Sequence, residues 1–440
     1  MSIDPDALFE RFRQLVEPVL SPEYRVAVAY SGGLDSTVLL LLFARLRAIT
    51  PFQLTACHVH HGLSPHAEDW QRHCAEQCAR LSIPFRTERV DLAVADGEGV
   101  EARARHARYA VFERLPVDSV VMAHHRDDQA ETVLYRLARG AALRGAAGMP
   151  ARRRLGVGPV QLWRPLLAES RNALQAYAEQ HQAVWICDES NASTAYDRNY
   201  LRHEVLPRLY ARFPAAATTI ARTATRLAEA AELVDVLAEI DAGGWCPQLA
   251  LDRLVGLSEA RQRNVLQWFL GRHGIRPESK QLALLLDQLL TAKQDANPCL
   301  RLADVELHRF QGALWVACHM EAPGVTRLVD CPHELAIASW GGVLRWQPAS
   351  LGVAPDTLRE IELRPRMGGE ALRLRPDGPT KAVKALFQEA GIPPWLRKRW
   401  PLLWWRNELI AVPGVGVAAA HQVLGGLWPR WQPEDWPEAP

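Results

Sequence analysis

The sequence predicts an α/β protein: an N-terminal half built on a parallel sheet, a helical middle, and a small mixed α/β C-terminal region. Three observations carry that prediction. Short apolar runs alternate with amphipathic stretches as far as Ala123, a glycine-rich turn follows the first apolar run, and the pattern shifts to an Ala-rich helix after about residue 210 and to short strands after about 300.

In chain order, Arg25 to Tyr30 (RVAVAY) has the apolar content of a buried strand, and Thr37 to Leu46 reads as the helix that follows it. Leu54 to Val59 is a second strand, Trp70 to Leu81 a helix and Phe85 to Val90 a third strand. Glu101 to Arg114 is a helix and Ser119 to Ala123 a fourth strand. Beyond them, Ala215 to Ile240 places Ile220, Leu227, Ala230, Leu233 and Leu237 at helical spacing, and a helical region continues through Gln262 to Leu290. Short strands follow at 300–303, 306–310 and 314–317, and a Pro-rich passage near 348–356 precedes a last segment rich in Gly, Arg and Trp. The expected domains are 1–213, 214–330 and 331–440.

Composition narrows the classes. The 440 residues are 48% hydrophobic and 23% charged, which excludes a disordered chain. Lys+Arg number 51 against 50 Asp+Glu, which excludes a uniformly basic nucleic-acid binder but leaves room for local basic patches. Met1 to Asp6 lacks the basic and apolar regions of a secretory signal, and the aliphatic run Val38 to Ala44 is far too short to span a bilayer. None of the 8 Cys forms a C-x-x-C pair, so zinc-ribbon, iron–sulfur and thioredoxin-type sites lack support. A cytoplasmic location and no membrane partner are the expectation.

The turn after the first strand reads Ser31-Gly32-Gly33-Leu34-Asp35-Ser36. Two glycines let the backbone turn tightly and approach an anion, the serines supply hydroxyls, and the next helix offers N–H groups and its positive end. It is neither a Walker A loop nor G-x-G-x-x-G. The pattern Ser-Gly-Gly-x-Asp-Ser resembles the signature of the N-type PP-loop ATP pyrophosphatases. That resemblance implies cleavage of ATP between the α and β phosphates and adenylation of a substrate oxygen.

Further stretches narrow the resemblance: His58-Val-His-His-Gly-Leu63, Glu101-x-x-Ala-Arg105-x-x-Arg108-Tyr109, Ala123-His-His-Arg-Asp-Asp-Gln-Ala-Glu-Thr132, Arg139-Gly140 to Gly148-Met149 and Arg164-Pro-Leu166. Asp188-x-Ser190-Asn191, Arg198-Asn-x-x-Arg202, Met367-Gly-Gly-Glu370, Lys381-x-x-Lys384-x-x-Phe387 and Gly391-Ile-Pro-Pro-Trp395 complete the set. Together they are similar to the tRNA(Ile)-lysidine synthetase family, with Ala141 and Ala142 standing where that family tends to carry small polar and Gly residues. The resemblance implies that ATP adenylates the C2 oxygen of the wobble cytidine in a CAU-anticodon isoleucine tRNA. The ε-amine of free L-lysine then displaces AMP, and codon recognition changes from AUG to AUA. ATP and Mg²⁺ are the implied cofactors, and a homodimer is an open expectation.

That chemistry makes specific demands on the side chains. Ser31, Gly32, Gly33, Leu34 and Ser36 would cradle the phosphates, Asp35 would hold Mg²⁺, and His58 would stand near the nucleotide. Free lysine is protonated at neutral pH, so its amine needs a carboxylate to bind the ammonium and take its proton. Asp128 and Glu131, three apart on a helix, suit that task, although acidic capping of a helix N-terminus would explain either Asp127 or Asp128 alone. Arg105, Arg108 and Arg202 would face phosphate or the lysine α-carboxylate. The expected catalytic set is Asp35, Asp128, Glu131, Arg105 and Arg202.

Two local basic stretches are candidates for RNA. Residues 139–164 hold six Arg and no acid, including Arg152 and Arg153, and residues 361–410 hold ten Lys/Arg against five Asp/Glu, with Arg397, Lys398 and Arg399 as the sharpest patch. Phe387, Trp395, Trp400, Trp404 and Trp405 interleave with the second stretch and read mostly as core. The competing readings are another PP-loop enzyme (a tRNA thiolase or a small-molecule ligase) and an RNA-binding protein with a relic loop.

Overall fold

A computed structural model describes the chain except for residues 1–4, 63, 91–99, 157, 188–196, 292–298, 303–304, 435 and 437–440. The motif Asp188-x-Ser190-Asn191 and Leu63 therefore lie outside the described residues. The chain divides into two compact units, Met1–Leu233 and Val234–Pro440.

The first unit runs α1 (Pro5–Val16), β1 (Arg25–Ala29), α2 (Leu34–Arg47), β2 (Gln53–His60), α3 (Ala67–Arg80), β3 (Phe85–Arg89), α4 (Val100–Glu113), β4 (Ser119–Val121) and α5 (Arg126–Ala138). It continues with α6 (Leu143–Ala146), β5 (Arg152–Arg154), β6 (Gln161–Trp163), α7 (Arg171–Gln180), α8 (Asp197–Tyr200), a π-helical turn at Leu201–Val205, α9 (Leu206–Arg212) and α10 (Ala216–Ala242), which crosses into the second unit. The six strands lie in the order β3-β2-β1-β4-β6-β5, parallel except for the β5–β6 pair.

Alternation along β1 explains the layering. Val26 and Val28 turn to one face and pack with Leu39, Phe43 and Tyr177, while Ala27 turns to the other with Phe112 and Leu162. A parallel sheet covered on both faces needs such apolar strands. Chain order reverses direction across the sheet between β1 and β4. That switch point leaves a crevice at the C-terminal ends of these two strands, where α/β folds bind their ligands.

The second unit begins with β7 (Gln248–Ala250), α11 (Glu259–Arg272), α12 (Ser279–Thr291), β8 (Cys299–Leu302), β9 (Val305–Phe310) and β10 (Ala313–Cys318). Next come β11 (Thr326–Val329), β12 (Glu334–Ile337), β13 (Gly342–Val353), β14 (Glu360–Arg364), β15 (Ala371–Arg373), β16 (Thr380–Ala382) and α13 (Val383–Glu389). β17 (Leu402–Trp405), β18 (Glu408–Val412), β19 (Gly416–Val417), β20 (Gln422–Leu424) and β21 (Leu427–Pro433) close it. One sheet, β7-β10-β9-β8, packs against α11 and α12, and the later strands form antiparallel sheets around a second core.

The structure adds detail to the middle and C-terminal regions that the sequence pattern does not carry. The helical region expected over Gln262 to Leu290 is made of two helices, because Gly274 takes φ +77° and ends the first. The middle region also carries β7, too short to leave a periodic signal. In the Pro-rich passage, Pro348 lies within β13, at the point where pairing with β21 shifts register.

Candidate active site

The phosphate loop joins β1 to α2. Gly32 has φ +84°, and a Cβ there would lie 2.6 Å from Ile186 Cδ1 and 2.9 Å from Cys74 Sγ, so only glycine fits. The Ile186 N–H donates to the Gly32 carbonyl at 2.9 Å and holds the turn from outside. Ser31 and Ser36 hydroxyls are 3.0 Å apart, and Ser36 donates to the Gly33 carbonyl. Gly33 is the N-cap of the 14-residue α2 and has no capping side chain, so the N-terminal N–H groups of that helix face the loop without one. A tight turn shut against bulk, at a bare helix N-terminus, fits a polyphosphate.

His58 lies near the C-terminal end of β2, beside this loop. Its Nδ1 donates to the Tyr30 carbonyl at 2.9 Å, which leaves Nε2 as an acceptor. Burial lowers its pKa and keeps it neutral. His61 is pushed down to about 4, first by burial and then by Arg108, whose guanidinium lies 3.4 Å from its Nε2.

Across the crevice, β4 delivers two adjacent histidines with opposite surroundings. His125 caps α5: its backbone N–H donates to Asp128 Oδ2 at 3.0 Å, and Nδ1 accepts from the Asp128 N–H at 3.4 Å. Its Nε2 stands 3.6 Å from Asp35 Oδ2 and 3.4 Å from Asp128 Oδ2. Burial opposes charge on His125, but the hydrogen bond with Asp35 and the charges of Asp128, Asp35 and Asp127 outweigh it and raise its pKa. His124 turns the other way. Burial first, then Arg164 and Arg105, hold its pKa far below the ordinary value. Arg164 Nε donates to His124 Nδ1 at 3.3 Å.

On the acidic side, Asp128 and Glu131 lie on one face of α5 and share Arg202. Arg202 Nη2 is 3.2 Å from Asp128 Oδ1 and 2.8 Å from Glu131 Oε2, and Nε donates to Glu131 Oε2 at 2.9 Å. Glu131 Oε1 has Arg198 Nε 4.0 Å away. Burial raises the Glu131 pKa against the pull of Arg202. Arg202 projects from the π-helical turn, a wider turn that recurs where helices carry functional groups. Asp127 serves a different end: its Oδ2 accepts from the Arg171 N–H at the start of α7.

Asp35 contributes the other acid. One oxygen faces His125, while Oδ1 is buried with no hydrogen-bond partner. An unsatisfied carboxylate oxygen beside a phosphate cradle suits a hard cation such as Mg²⁺.

Arg105 is not part of this acidic cluster. Its Nη2 donates to the Tyr109 hydroxyl at 3.3 Å, and the Arg153 guanidinium lies 5.0 Å above the same ring. Burial alone would raise the Tyr109 phenol, but Arg105, Arg164 and Arg153 bring it below its ordinary value. The crevice thus has an acidic wall of Asp35, Asp128 and Glu131 and a basic wall of Arg105, Arg153 and Arg164. His125, Tyr109 and Arg164 were absent from the residues picked from sequence. Each sits inside a quoted motif, and that adjacency was the signal available.

Comparison with known proteins matches three stretches of the chain to family models. Residues 6–209 match the PP-loop domain, 249–315 the TilS substrate binding domain and 361–430 the TilS substrate C-terminal domain. The tRNA(Ile)-lysidine synthase of Chromobacterium violaceum is 42% identical over 423 residues, covering 94% of this chain and 97% of that protein. The chain belongs to the tRNA(Ile)-lysidine synthase family. Family members from Coxiella burnetii (39% over 419 residues, 93% of each chain) and Pseudomonas aeruginosa (42% over 424 residues, 92% and 93%) match over similar lengths.

Within the family's C-terminal domain, the expected basic patch is mostly occupied. Arg399 is buried with Nη1 2.7 Å from Met320 Sδ, and Arg397 Nε donates to the Ile392 carbonyl at 2.8 Å; Lys398 is exposed. Phe387 and Trp400 are buried in the core there. Arg152, Arg153 and Arg154 are exposed on edge strand β5, with Arg152 stacked 3.9 Å above Trp163. Among the described residues, no helix is long and apolar enough to cross a membrane.

Proposed function

We propose that this lysidine-forming enzyme divides its reaction between the two sides of the β1/β4 crevice. The carrying observation is that Asp35 of the phosphate loop and Asp128 of α5 meet at one histidine, His125. In the first step the cytidine O2 attacks the ATP α-phosphorus and pyrophosphate leaves. Ser31, Gly32, Gly33 and Ser36 hold the departing phosphates with N–H and O–H donors at the positive end of α2. Asp35 would hold Mg²⁺ through Oδ1, and that ion when bound neutralises phosphate charge. The neutral His58 offers the nucleotide an acceptor.

In the second step the lysine Nε attacks C2, a carbon–nitrogen bond forms, the C2–oxygen bond breaks and AMP departs. Asp128 and Glu131 draw the ammonium, and Glu131, made more basic by burial, takes its proton. Arg202 keeps the two acids charged and close together. The basic wall of Arg105 and Arg153, continued by Arg152, receives RNA or AMP phosphate. In the C-terminal domain Lys398 offers RNA a contact of its own, and Arg397 and Arg399 shape the loop that presents it. A thiolase reading is not favoured: the chain lacks C-x-x-C pairs and its relatives are lysidine synthases.

Labelled lysine, supplied with ATP, Mg²⁺ and an unmodified CAU-anticodon isoleucine tRNA, should enter that tRNA and not an elongator methionine tRNA. AMP release with no label in RNA would discard the lysine acceptor and keep the adenylation chemistry.

A further inference from the structure

We propose that Cys299, Glu306 and His308 form a zinc site on the β8–β9 hairpin of the second unit. Register brings them together. Cys299 pairs directly with His308 across the antiparallel ladder, and Glu306 precedes His308 by two residues and so shares its face. The opposite face of the same strands sends Leu300, Leu302 and Leu307 into the core against α11 and α12. The polar set is thus not a by-product of core packing.

The ligand atoms converge. Cys299 Sγ is 3.9 Å and Glu306 Oε2 is 3.1 Å from the same nitrogen, His308 Nε2, and all three lie within 4.8 Å of one another. Tetrahedral zinc with bonds of about 2.0–2.3 Å sets neighbouring ligand atoms roughly 3.3–3.8 Å apart, so small adjustments admit the ion. A nucleophilic Cys–His–Glu relay does not fit, because it needs thiol and carboxylate on opposite ring nitrogens. Sulfur, nitrogen and oxygen donors together suit zinc and not magnesium or calcium.

The surroundings are those of a held ligand set. His319 Nδ1 lies 2.7 Å from Glu306 Oε1 and orients the carboxylate from behind. The His308 ring stacks on Trp395 at 4.3 Å and 12°, which fixes its plane. His308 is buried while Cys299 is exposed, which gives the ion an entry and leaves the fourth position to water. Occupancy would pin the β8–β9 hairpin beneath Trp395, and so tie the region matched by the substrate binding domain to that matched by the C-terminal domain.

Metal-stripped full-length protein should bind one Co²⁺ per chain with a sulfur-to-cobalt charge-transfer band. Cys299→Ser should abolish that band, and Cys246→Ser and Cys318→Ser should leave it intact. His319→Gln should weaken binding about tenfold. In the unaltered protein, Zn²⁺ should slow alkylation of Cys299 and not of Cys246 or Cys318, a readout independent of whether any variant folds. A band that survives Cys299→Ser, or Cys299 alkylation unaffected by stoichiometric Zn²⁺, overturns the site.

Discussion

His124 and His125 are adjacent in sequence and shifted in opposite directions, the one kept neutral by burial among arginines and the other raised among carboxylates. That split separates a basic wall from an acidic wall within a few ångströms. Arg202 is the hinge of the second wall because one planar guanidinium reaches two carboxylates. Arg202→Lys supplies one point charge in place of a fork. We expect the KM for lysine to rise about tenfold while the KM for ATP stays within about twofold; steady-state kinetics in both substrates would show it, and equal loss in both would mean Arg202 serves the fold. Asp128 and Glu131 were legible in sequence because three-residue spacing on a helix defines a face. His125 was not, since nothing in His-His says which ring turns toward the acids. A run such as Arg397 to Arg399 looks solvated in sequence, yet the turn after Pro394 carries Arg399 inward.

At the scale of elements, the phosphate loop and α5 depend on close backbone approach. Gly32→Ala adds a Cβ that meets Ile186 and Cys74 and strains a left-handed residue. It should cost about 1–3 kcal/mol and lower Tm by several degrees, with weaker ATP binding, as calorimetry with and without nucleotide would record. Gln129 of α5 bonds both the N–H and the carbonyl of Met149, at 2.8 and 3.0 Å, and so fastens the end of the Arg-rich segment beside the site. Gln129→Ala should cost about 1–3 kcal/mol and speed amide exchange around residues 145–150 without altering exchange in β1. Strands and helices of the first unit were readable because a parallel sheet demands apolar runs. The π-helical turn under Arg202 and the strand through Pro348 were not, because both arise from neighbours distant in sequence.

On the scale of the whole molecule, burial of neutral histidines links stability to pH. His58, His61 and His124 all have lowered pKa values in the folded chain, His61 to about 4. Unfolded chains bind protons on these rings near their ordinary value of about 6.5, so stability falls as pH drops through that value and continues to fall toward about 4. His125, raised, adds stability below about 6.5 that is lost as pH rises, but it is one group against those three, and burial lowers His273 and His308 as well. Urea midpoints should therefore decline between about pH 7 and pH 5; a rising midpoint would contradict the neutral histidines. In the proposed division of labour one crevice separates adenylation from amine attack, with Asp35 serving the first step and Glu131 the second. The most direct test follows pyrophosphate release and labelled-lysine incorporation in one single-turnover reaction. Glu131→Gln should release pyrophosphate within a few-fold of the unaltered enzyme while lysine incorporation falls about 10²–10⁴-fold; Asp35→Asn should lose both. Equal loss of the two signals in Glu131→Gln would contradict the division.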